Sequence, residues 1–374
     1  MKILFCDNRL GGLFGFRIDV IRHFIQQGHE VVLVCPKPET EWDRIGQTDL
    51  QHVRIVYIPM DANGKNPIKD LHLMMSYYSL FCKERPDWII TYTIKPNIFG
   101  GLAARLLHIP VVSMIAGLGY AFDGNSVFKK LLRCLYRFGL KKTRRVLVLN
   151  QSNYDTVLAY HLTTQDKLIL LNGGEGVNLD QYPATQADFT NGVTFLVISR
   201  VLYDKGYQEY VDALAKMPKD SQTHFQWLGP TAFDSPLGVP QKVFEADCQK
   251  GYFEYLGVTN DVTQYMGKVN AVIVLPSFYL EGMNRSLMEA CAMGRPIITT
   301  NIPGCREMVD EGKNGFWIPP RDSQALAEAM LQFISLSEEQ KRAMAQFSHK
   351  LALQKFDVRK VIDVYDRICC QNDK

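Results

Sequence analysis

Several motifs are absent from this 374-residue sequence. It has no apolar run approaching the roughly 18 residues that cross a bilayer. Its nine cysteines include no CxxC pair, its eight histidines show no metal-ligand spacing, and no DxD motif occurs. These absences argue against a membrane-spanning chain, a disulfide scaffold and a metal site. We therefore expect a cytoplasmic protein with reduced thiols, no metal and no other cofactor.

The composition is that of an ordinary globular protein. Hydrophobic residues make up 47% of the chain and charged residues 22%. The length exceeds what one hydrophobic core normally holds, and it suits two domains. A net charge of +3 is too small to indicate a nucleic-acid partner, and we expect none.

Short apolar runs alternate with helix-period segments along the whole chain. In 14–27, for example, apolar residues recur every three or four positions. The short runs are apolar throughout, which is typical of a parallel sheet covered by helices on both faces. The predicted strands are 2–6, 30–35, 53–58, 88–92, 111–115, 146–149 and 168–171 in a first series, and 194–199, 225–228, 253–256, 271–275, 296–300 and 315–318 in a second.

A glycine-rich segment, 172–176, separates the two series and suits a hinge. We predict an α/β protein with two Rossmann-like, doubly wound domains that face each other across a cleft. The expected domains are 1–173 and 174–354, with a final helix, 355–374, returning to the first. Ligands of such sheets bind at the carboxyl ends of the strands, so the cleft is the expected active site.

The strongest candidate site lies in 276–290. A loop with Glu281 and Gly282 follows a buried strand, and a helix is expected to begin near Ser286. The amides of the loop and the positive end of the helix suit a diphosphate, and carboxylates accept hydrogen bonds from sugar hydroxyls. Two solvated glutamates are the alternative, which the flanking strand and glycine disfavour. The donor-binding candidates here are Gly282, Met283, Asn284, Arg285, Ser286 and Glu289.

Two basic residues follow the first strand of the second series. Arg200 and Lys205 leave the carboxyl end of that strand five residues apart. A diphosphate leaving group needs its charge neutralised by a metal or by fixed cations, and no metal motif is present. We predict that these two residues supply the charge, the alternative being ordinary surface cations.

Gly11 and Gly12 follow the first strand and let a ligand approach the backbone closely. If the cleft transfers a group between two substrates, we expect these glycines where the donor of that group meets its acceptor. The pattern is not GxGxxG, and Lys37 rather than an acid follows the next strand, so a nicotinamide cofactor is not expected.

The combination of Glu281 and Glu289, Arg200 with Lys205-Gly206, and Gly11-Gly12 resembles glycosyltransferase family 4, the retaining enzymes of the GT-B fold. The likeness extends over nearly the whole chain and includes 294–300. More narrowly, 91–97 and 116–119 resemble bacterial galactosyl- and N-acetylgalactosaminyltransferases that act on undecaprenyl-diphosphate-linked sugars.

The resemblance implies transfer of a hexose or N-acetylhexosamine from a nucleotide diphosphate-sugar, with UDP favoured, to a lipid-linked or glycan hydroxyl. By it, Arg200 and Lys205 hold the donor diphosphate, Glu281 the hexose and Glu289 the ribose. Lys95, Asn97 and Gly117 are candidates on the acceptor side. In two departures from the family pattern, 116–120 lacks the histidine that many relatives carry, and Asn284 stands where proline is common.

Two other functions remain open at this point. A nucleotide-sugar epimerase can share the architecture, but it needs acid and base groups around the sugar. A non-catalytic partner subunit of a glycosyltransferase is the second alternative. Such a subunit would not need all four charged candidates, which are Arg200, Lys205, Glu281 and Glu289. A dehydrogenase is a more distant alternative.

The segment 128–145 is strongly basic. No acidic residue lies between Asp123 and Asp155. Its apolar residues recur at helical spacing, so it is either a packed helix with solvated charges or a docking site for anionic lipid. The second interpretation predicts a peripheral protein on the inner face of the cytoplasmic membrane. The basic residues are Lys129, Lys130, Arg133, Arg137, Lys141, Lys142, Arg144 and Arg145.

Overall fold

The computed structural model describes residues 1–38, 50, 52–62, 64–118, 126–218, 220–280 and 282–370. The chain divides into two compact units. The first comprises Met1–Glu175 with Val358–Lys374, and the second is Gly176–Asp357. The expected boundaries, at 173 and 354, lie within a few residues of these.

Within the described residues, the first unit contains one seven-stranded parallel sheet, ordered β3-β2-β1-β4-β5-β6-β7. Its strands are β1 Lys2–Cys6, β2 Glu30–Cys35, β3 Arg54–Tyr57, β4 Trp88–Tyr92, β5 Val111–Ile115, β6 Arg145–Val148 and β7 Leu168–Leu170. Its helices are α1 Leu10–Phe16, α2 Ile18–Gln26, α3 Pro67–Glu84, α4 Gly101–Leu106, α5 Val127–Leu140, α6 Gln151–Ala159 and, at the end of the chain, α13 Val358–Cys369. A π-helical turn, Pro96–Gly100, precedes α4, and a 3-10 turn, Gln165–Lys167, precedes β7.

The described part of the second unit has a six-stranded parallel sheet, ordered β10-β9-β8-β11-β12-β13. The strands are β8 Val193–Ile198, β9 Thr223–Leu228, β10 Glu254–Tyr255, β11 Ala271–Leu275, β12 Ile297–Thr300 and β13 Gly315–Ile318. The helices are α7 Tyr207–Leu214, α8 Gln241–Gln249, α9 Thr263–Met266, α10 Arg285–Ala292, α11 Ser323–Ser335 and α12 Glu338–Leu351. Short turns at Tyr203–Lys205, Arg306–Met308 and Ala352–Phe356 complete it.

Each strand predicted from the sequence is present, and the doubly wound α/β class is confirmed. The order of each sheet reverses beside its first strand, β1 or β8, because the chain winds outwards in both directions from there. Within each unit, the loops after the first strand and its neighbours therefore lie at the carboxyl edge of that unit's sheet, where such folds bind ligands.

The helical segment expected at 14–27 is two helices rather than one. Helix α1 ends at Phe16, α2 begins at Ile18, and Arg17 lies buried between them. The side chain of Arg17 forms an ion pair with Glu175, 3.0 Å from Nε to Oε2, and its guanidinium lies 4.6 Å from the centre of the Tyr92 ring. Arg17 therefore stands at the junction of the two helices with its charge held by buried partners.

Helix α13 closes the first unit by packing on α2. The hydroxyls of Tyr92 and Tyr365 are 3.1 Å apart in the interior, and His23 contacts Asp366 at 2.9 Å. These contacts join α13 to β4 and α2.

Candidate functional site

The loop between β11 and α10 carries most of the predicted donor-binding residues. Glu281 lies outside the described residues, whereas Gly282 and the residues after it are described. Helix α10 begins at Arg285, one residue before the expected start. The side chain of Met283, in the loop before it, is buried.

Asn284 caps α10. Its Oδ1 accepts from the amide of Leu287 at 3.1 Å and from the hydroxyl of Ser286 at 2.8 Å. Asparagine is among the best N-cap residues, whereas proline has no side-chain acceptor for these donors. The departure from the family's common proline therefore has a structural reason: the side chain itself begins the helix.

Ser286 joins α10 to the neighbouring strand. Its hydroxyl lies 2.8 Å from Oδ1 of Asn284 and 3.1 Å from the carbonyl oxygen of Ile198, the last residue of β8, so its single proton is shared between these two acceptors. Arg200 follows β8 by two residues and is exposed. The helix start and the basic residue therefore lie at the same edge of the sheet.

A single backbone carbonyl links the two motifs that the sequence predicted separately. The carbonyl of Asp204 accepts from the amides of Phe278 and Tyr279 at 3.0 and 3.2 Å, and from the hydroxyl of Ser277 at 3.2 Å. Gly206 makes this approach feasible: its φ is +82°, and a Cβ there would lie 2.3 Å from the carbonyl oxygen of Pro276. The basic loop is thus packed directly on the loop that leads to Glu281.

Lys205 is a nearly buried cation. Its Nζ lies 5.1 Å from the centre of the Tyr279 ring. Burial lowers the pKa of its amine from 10.5 to about 8; the neighbouring Arg200 acts in the same direction, while Cys305 and Asp204 oppose it. Burial also raises the pKa of Asp204, against the effect of Lys205 and Arg200. Such a site holds positive charge at a cost to the folded protein, which an anionic ligand would relieve.

Glu289 is held in place by two donors. Its Oε1 accepts from the hydroxyl of Tyr182 and from Nε of Arg285, each at 2.8 Å. Burial and the charge of Glu289 raise the pKa of Tyr182. Burial alone would lower the pKa of Arg285, but Glu289 outweighs it and the net shift is upwards. Glu289, the residue predicted to bind the ribose, is therefore a buried carboxylate held in a fixed position.

Sequence reasoning did not find Tyr182. It lies in a loop before β8, 107 residues from Glu289, and no motif marks it.

Gly11 and Gly12 lie inside α1, which begins at Leu10, four residues after the end of β1 at Cys6. A Cβ at Gly12 would lie 2.8 Å from Oδ2 of the buried Asp7. Nη1 of Arg17 donates to the Gly12 carbonyl at 3.2 Å. These glycines thus allow α1 to pack on Asp7, and their role at a donor stays a prediction.

The acceptor-side candidates are placed differently from one another. Lys95 is largely buried and pairs with Asp70, 2.5 Å from Nζ to Oδ1. Asn97 is fully buried and donates to the Met114 carbonyl at 2.9 Å, so its side chain supports the backbone of β5. Gly117 is half-buried just after that strand. Their roles towards an acceptor stay predictions.

The basic segment is a helix with two kinds of arginine. Arg133 is buried with its guanidinium 4.5 Å from the centre of the Tyr160 ring, so the expectation that it faces lipid is wrong. Arg137 is exposed, although it also donates to the carbonyls of Tyr160 and His161. In the part of the chain that the structure describes, no helix has both the length and the apolarity to span a membrane. The same described residues contain no cluster of three or more metal-ligating side chains.

Family models match both halves of the chain. Residues 2–150 match a model described as glycosyl transferase 4-like, and 192–335 match one described as glycosyl transferases group 1. The chain is 25% identical to the N,N'-diacetylbacillosaminyl-diphospho-undecaprenol alpha-1,3-N-acetylgalactosaminyltransferase of Campylobacter jejuni, covering 98% of this chain and 99% of that protein. It is also 25% identical to the UDP-Gal:alpha-D-GlcNAc-diphosphoundecaprenol alpha-1,3-galactosyltransferase of Escherichia coli, covering 81% and 79%.

Solved structures share the fold at low sequence identity. Anabaena HepE in complex with UDP superimposes with a TM-score of 0.81 at 19% identity, covering 99% of this chain and 100% of that one. Sucrose-phosphate synthase from Thermosynechococcus elongatus gives 0.78 at 17% identity, covering 99% and 98%. With matched models over both halves and this shared architecture, the chain belongs to the glycosyltransferases of the GT-B fold, with a 4-like first half and a group 1 second half.

Proposed function

We propose that the protein is a retaining, metal-independent transferase that moves a hexose or N-acetylhexosamine from a UDP-sugar to a hydroxyl of a lipid-linked glycan. The observation that carries the proposal is the packing of the Lys205 loop on the 277–279 loop through the Asp204 carbonyl. It sets a nearly buried cation against the loop that leads into α10, a combination suited to a diphosphate. The choice of donor and acceptor class is supported by the two relatives: both are named for diphospho-undecaprenol-linked acceptors, and the Escherichia coli enzyme is named for UDP-galactose.

The proposed reaction is attack from the face that the nucleotide leaves. The bond from the anomeric carbon to the diphosphate breaks while the acceptor oxygen bonds to the same carbon on the same face. The departing phosphate oxygen takes the proton of the acceptor hydroxyl. Lys205 and Arg200 stabilise the charge that develops on the diphosphate, Glu281 holds the hexose, and Glu289 holds the ribose.

A product assay tests this proposal. Purified protein is supplied with UDP-, GDP- and ADP-sugars and with a polyprenyl-diphosphate-linked N-acetylhexosamine, in EDTA. We expect glycosyl transfer from a UDP-sugar only, with the donor's anomeric configuration retained by NMR. Inversion would refute the retaining route, and a complete loss restored by Mg²⁺ or Mn²⁺ would refute metal independence. Conversion of the donor to its epimer without acceptor would instead identify the epimerase alternative.

Matched lysine variants locate the function in the second unit. Lys205→Met should reduce turnover by about 10²–10³-fold, the usual effect of removing one group that stabilises charge in the transition state. Lys242→Met, on the exposed side of α8, should leave turnover unchanged. Equal turnover of the two variants would contradict the role of Lys205.

Peripheral docking on anionic lipid through 128–145, at the inner face of the cytoplasmic membrane, is part of the proposal. The exposed side chains of Lys130, Arg137, Lys141 and Lys142 support it, because each basic residue near an anionic surface contributes about 1 kcal/mol. Co-sedimentation with phosphatidylglycerol vesicles should fall as salt rises. Equal binding to neutral phosphatidylcholine vesicles would refute the electrostatic part.

A further inference from the structure

Helix α3 has apolar side chains on two opposite sides. Leu73, Tyr77 and Leu80 face the core of the first unit. On the other side, a row spaced three, four and three residues apart is between 41% and 78% exposed. A helix that is apolar on both sides normally has a partner on each. The exposed row consists of Ile68, Leu71, Met75 and Tyr78.

Helix α5 carries a second exposed apolar row. Val127, Leu131 and Phe138 are between 48% and 84% exposed and lie four and seven residues apart, which places them on one side of the helix. Tyr136 and Leu140 on the opposite side are buried in the core. The side of α5 that faces solvent therefore carries apolar side chains as well as basic ones.

The two rows lie on the same surface of the first unit. Helix α3, the turn Pro96–Gly100, α4 and α5 pack side by side and bury their inner sides in one core over one face of the sheet. Between the rows, Leu106 of α4 is also exposed. Apolar exposure on three adjacent helices forms a patch of the kind that marks an interaction surface rather than scattered exposed residues.

The charges around this patch indicate which partner fits it. The acids of α3, Asp70 and Glu84, are both ion-paired, Asp70 with Lys95 and Glu84 with Lys2 and Arg54. Helices α4 and α5 contain no acid. The exposed charged side chains on α3 and α5 are Lys69, Lys83, Lys130 and Arg137. Two copies of the chain would bring two basic rims together, whereas an anionic lipid surface complements both the rims and the apolar rows.

We propose that the α3 and α5 rows insert together into the boundary between headgroups and acyl chains of an anionic membrane. The inference deepens the docking proposed above and rests on it: the basic side chains provide attraction, and the two apolar rows provide insertion. Helix α3, which lies outside the basic segment, is part of the contact.

Tryptophan placed in each row measures the insertion. Met75→Trp and Leu131→Trp are compared with Val258→Trp, an exposed apolar site in the second unit. The wild-type protein supplies the background of the four native tryptophans. With vesicles of phosphatidylglycerol and brominated phosphatidylcholine, we expect extra quenching for the first two variants and none for the third. Quenching of Leu131→Trp alone would overturn the participation of α3.

Paired serine variants measure the contribution of each row to binding. Leu71→Ser with Met75→Ser, and separately Leu131→Ser with Phe138→Ser, should each weaken partitioning into anionic vesicles by about tenfold or more. The control pair, Val243→Ser with Val258→Ser, should leave it unchanged. Because the altered side chains are exposed, thermal unfolding and UDP binding should stay at wild-type values.

The outcomes separate this inference from the docking on which it rests. If the wild-type protein does not bind anionic vesicles, both are overturned. If it binds but the serine pairs bind equally well and neither tryptophan is quenched, docking stands and the insertion of the rows is overturned. A lipid-free dimer that Leu71→Ser dissociates would identify a second copy of the chain as the occupant and overturn the lipid assignment.

Discussion

Replacing Lys205 by methionine should stabilise the folded protein while weakening donor binding. The amine is nearly buried, and its pKa is lowered from 10.5 to about 8, first by burial. A shift of this size corresponds to about 3 kcal/mol that the charged form costs the folded state at pH 7. Methionine has a similar length and no charge, so Lys205→Met should recover part of this cost, about 1–3 kcal/mol.

The pH dependence gives the reasoning a second, independent measurement. Since the pKa is lower in the folded than in the unfolded chain, the unfolded chain binds more protons between about pH 8 and 10.5. The lysine's cost is therefore complete below pH 8 and disappears as pH rises towards 10.5. Urea unfolding of wild type and Lys205→Met should differ most at pH 7, and the difference should shrink at pH 10.

Donor binding should have the opposite effect to burial on Lys205: it should raise the pKa of the amine. A diphosphate beside Lys205 favours the charged amine, so UDP should bind with uptake of part of a proton near pH 8.5 and more weakly at higher pH. Calorimetry in two buffers of different ionisation enthalpy measures that uptake, which Lys205→Met should abolish. A variant less stable than wild type at pH 7, or UDP binding without proton uptake, would refute the reasoning.

Three further substitutions have expected outcomes. Tyr182→Phe removes one donor to the Glu289 carboxylate and should weaken UDP binding about tenfold with little change in unfolding, measured by calorimetry and urea denaturation. Arg295→Met leaves the carbonyls of Met266, Thr185 and Gly267 without their buried donor and should lower the free energy of unfolding by about 3–5 kcal/mol, whereas the exposed Arg306→Met should not. Glu281→Ala should cut turnover by about 10²–10³-fold while the protein stays folded; near-normal turnover would contradict its assignment to the hexose.

The sheets were predictable because parallel strands buried on both faces leave an uninterrupted apolar pattern in the sequence. The placement of Arg200 and Lys205 followed from the same logic, since the residues after a strand lie at its carboxyl end. The start of α10, expected near Ser286, was also predicted to within one residue.

What the sequence could not indicate depends on long-range contacts. Nothing local marks Tyr182 as a partner of Glu289, or Arg17 as the cation between Glu175 and Asp7. Gly11 and Gly12 are expected from the sequence to let a ligand approach the backbone, whereas they lie in a helix that packs closely on the buried Asp7. Composition groups Arg133 with the exposed basic residues, but it is buried and its guanidinium lies over the ring of the distant Tyr160.

The carbonyl of Asp204 has a consequence for changing the sugar that the protein uses. Because one backbone oxygen receives three donors from Ser277, Phe278 and Tyr279, the conformation of that loop depends on residues some 70 positions earlier. A loop transplanted alone from a relative would meet a mismatched acceptor and displace Lys205. Donor preference should therefore be exchanged by grafting 203–206 and 276–280 together.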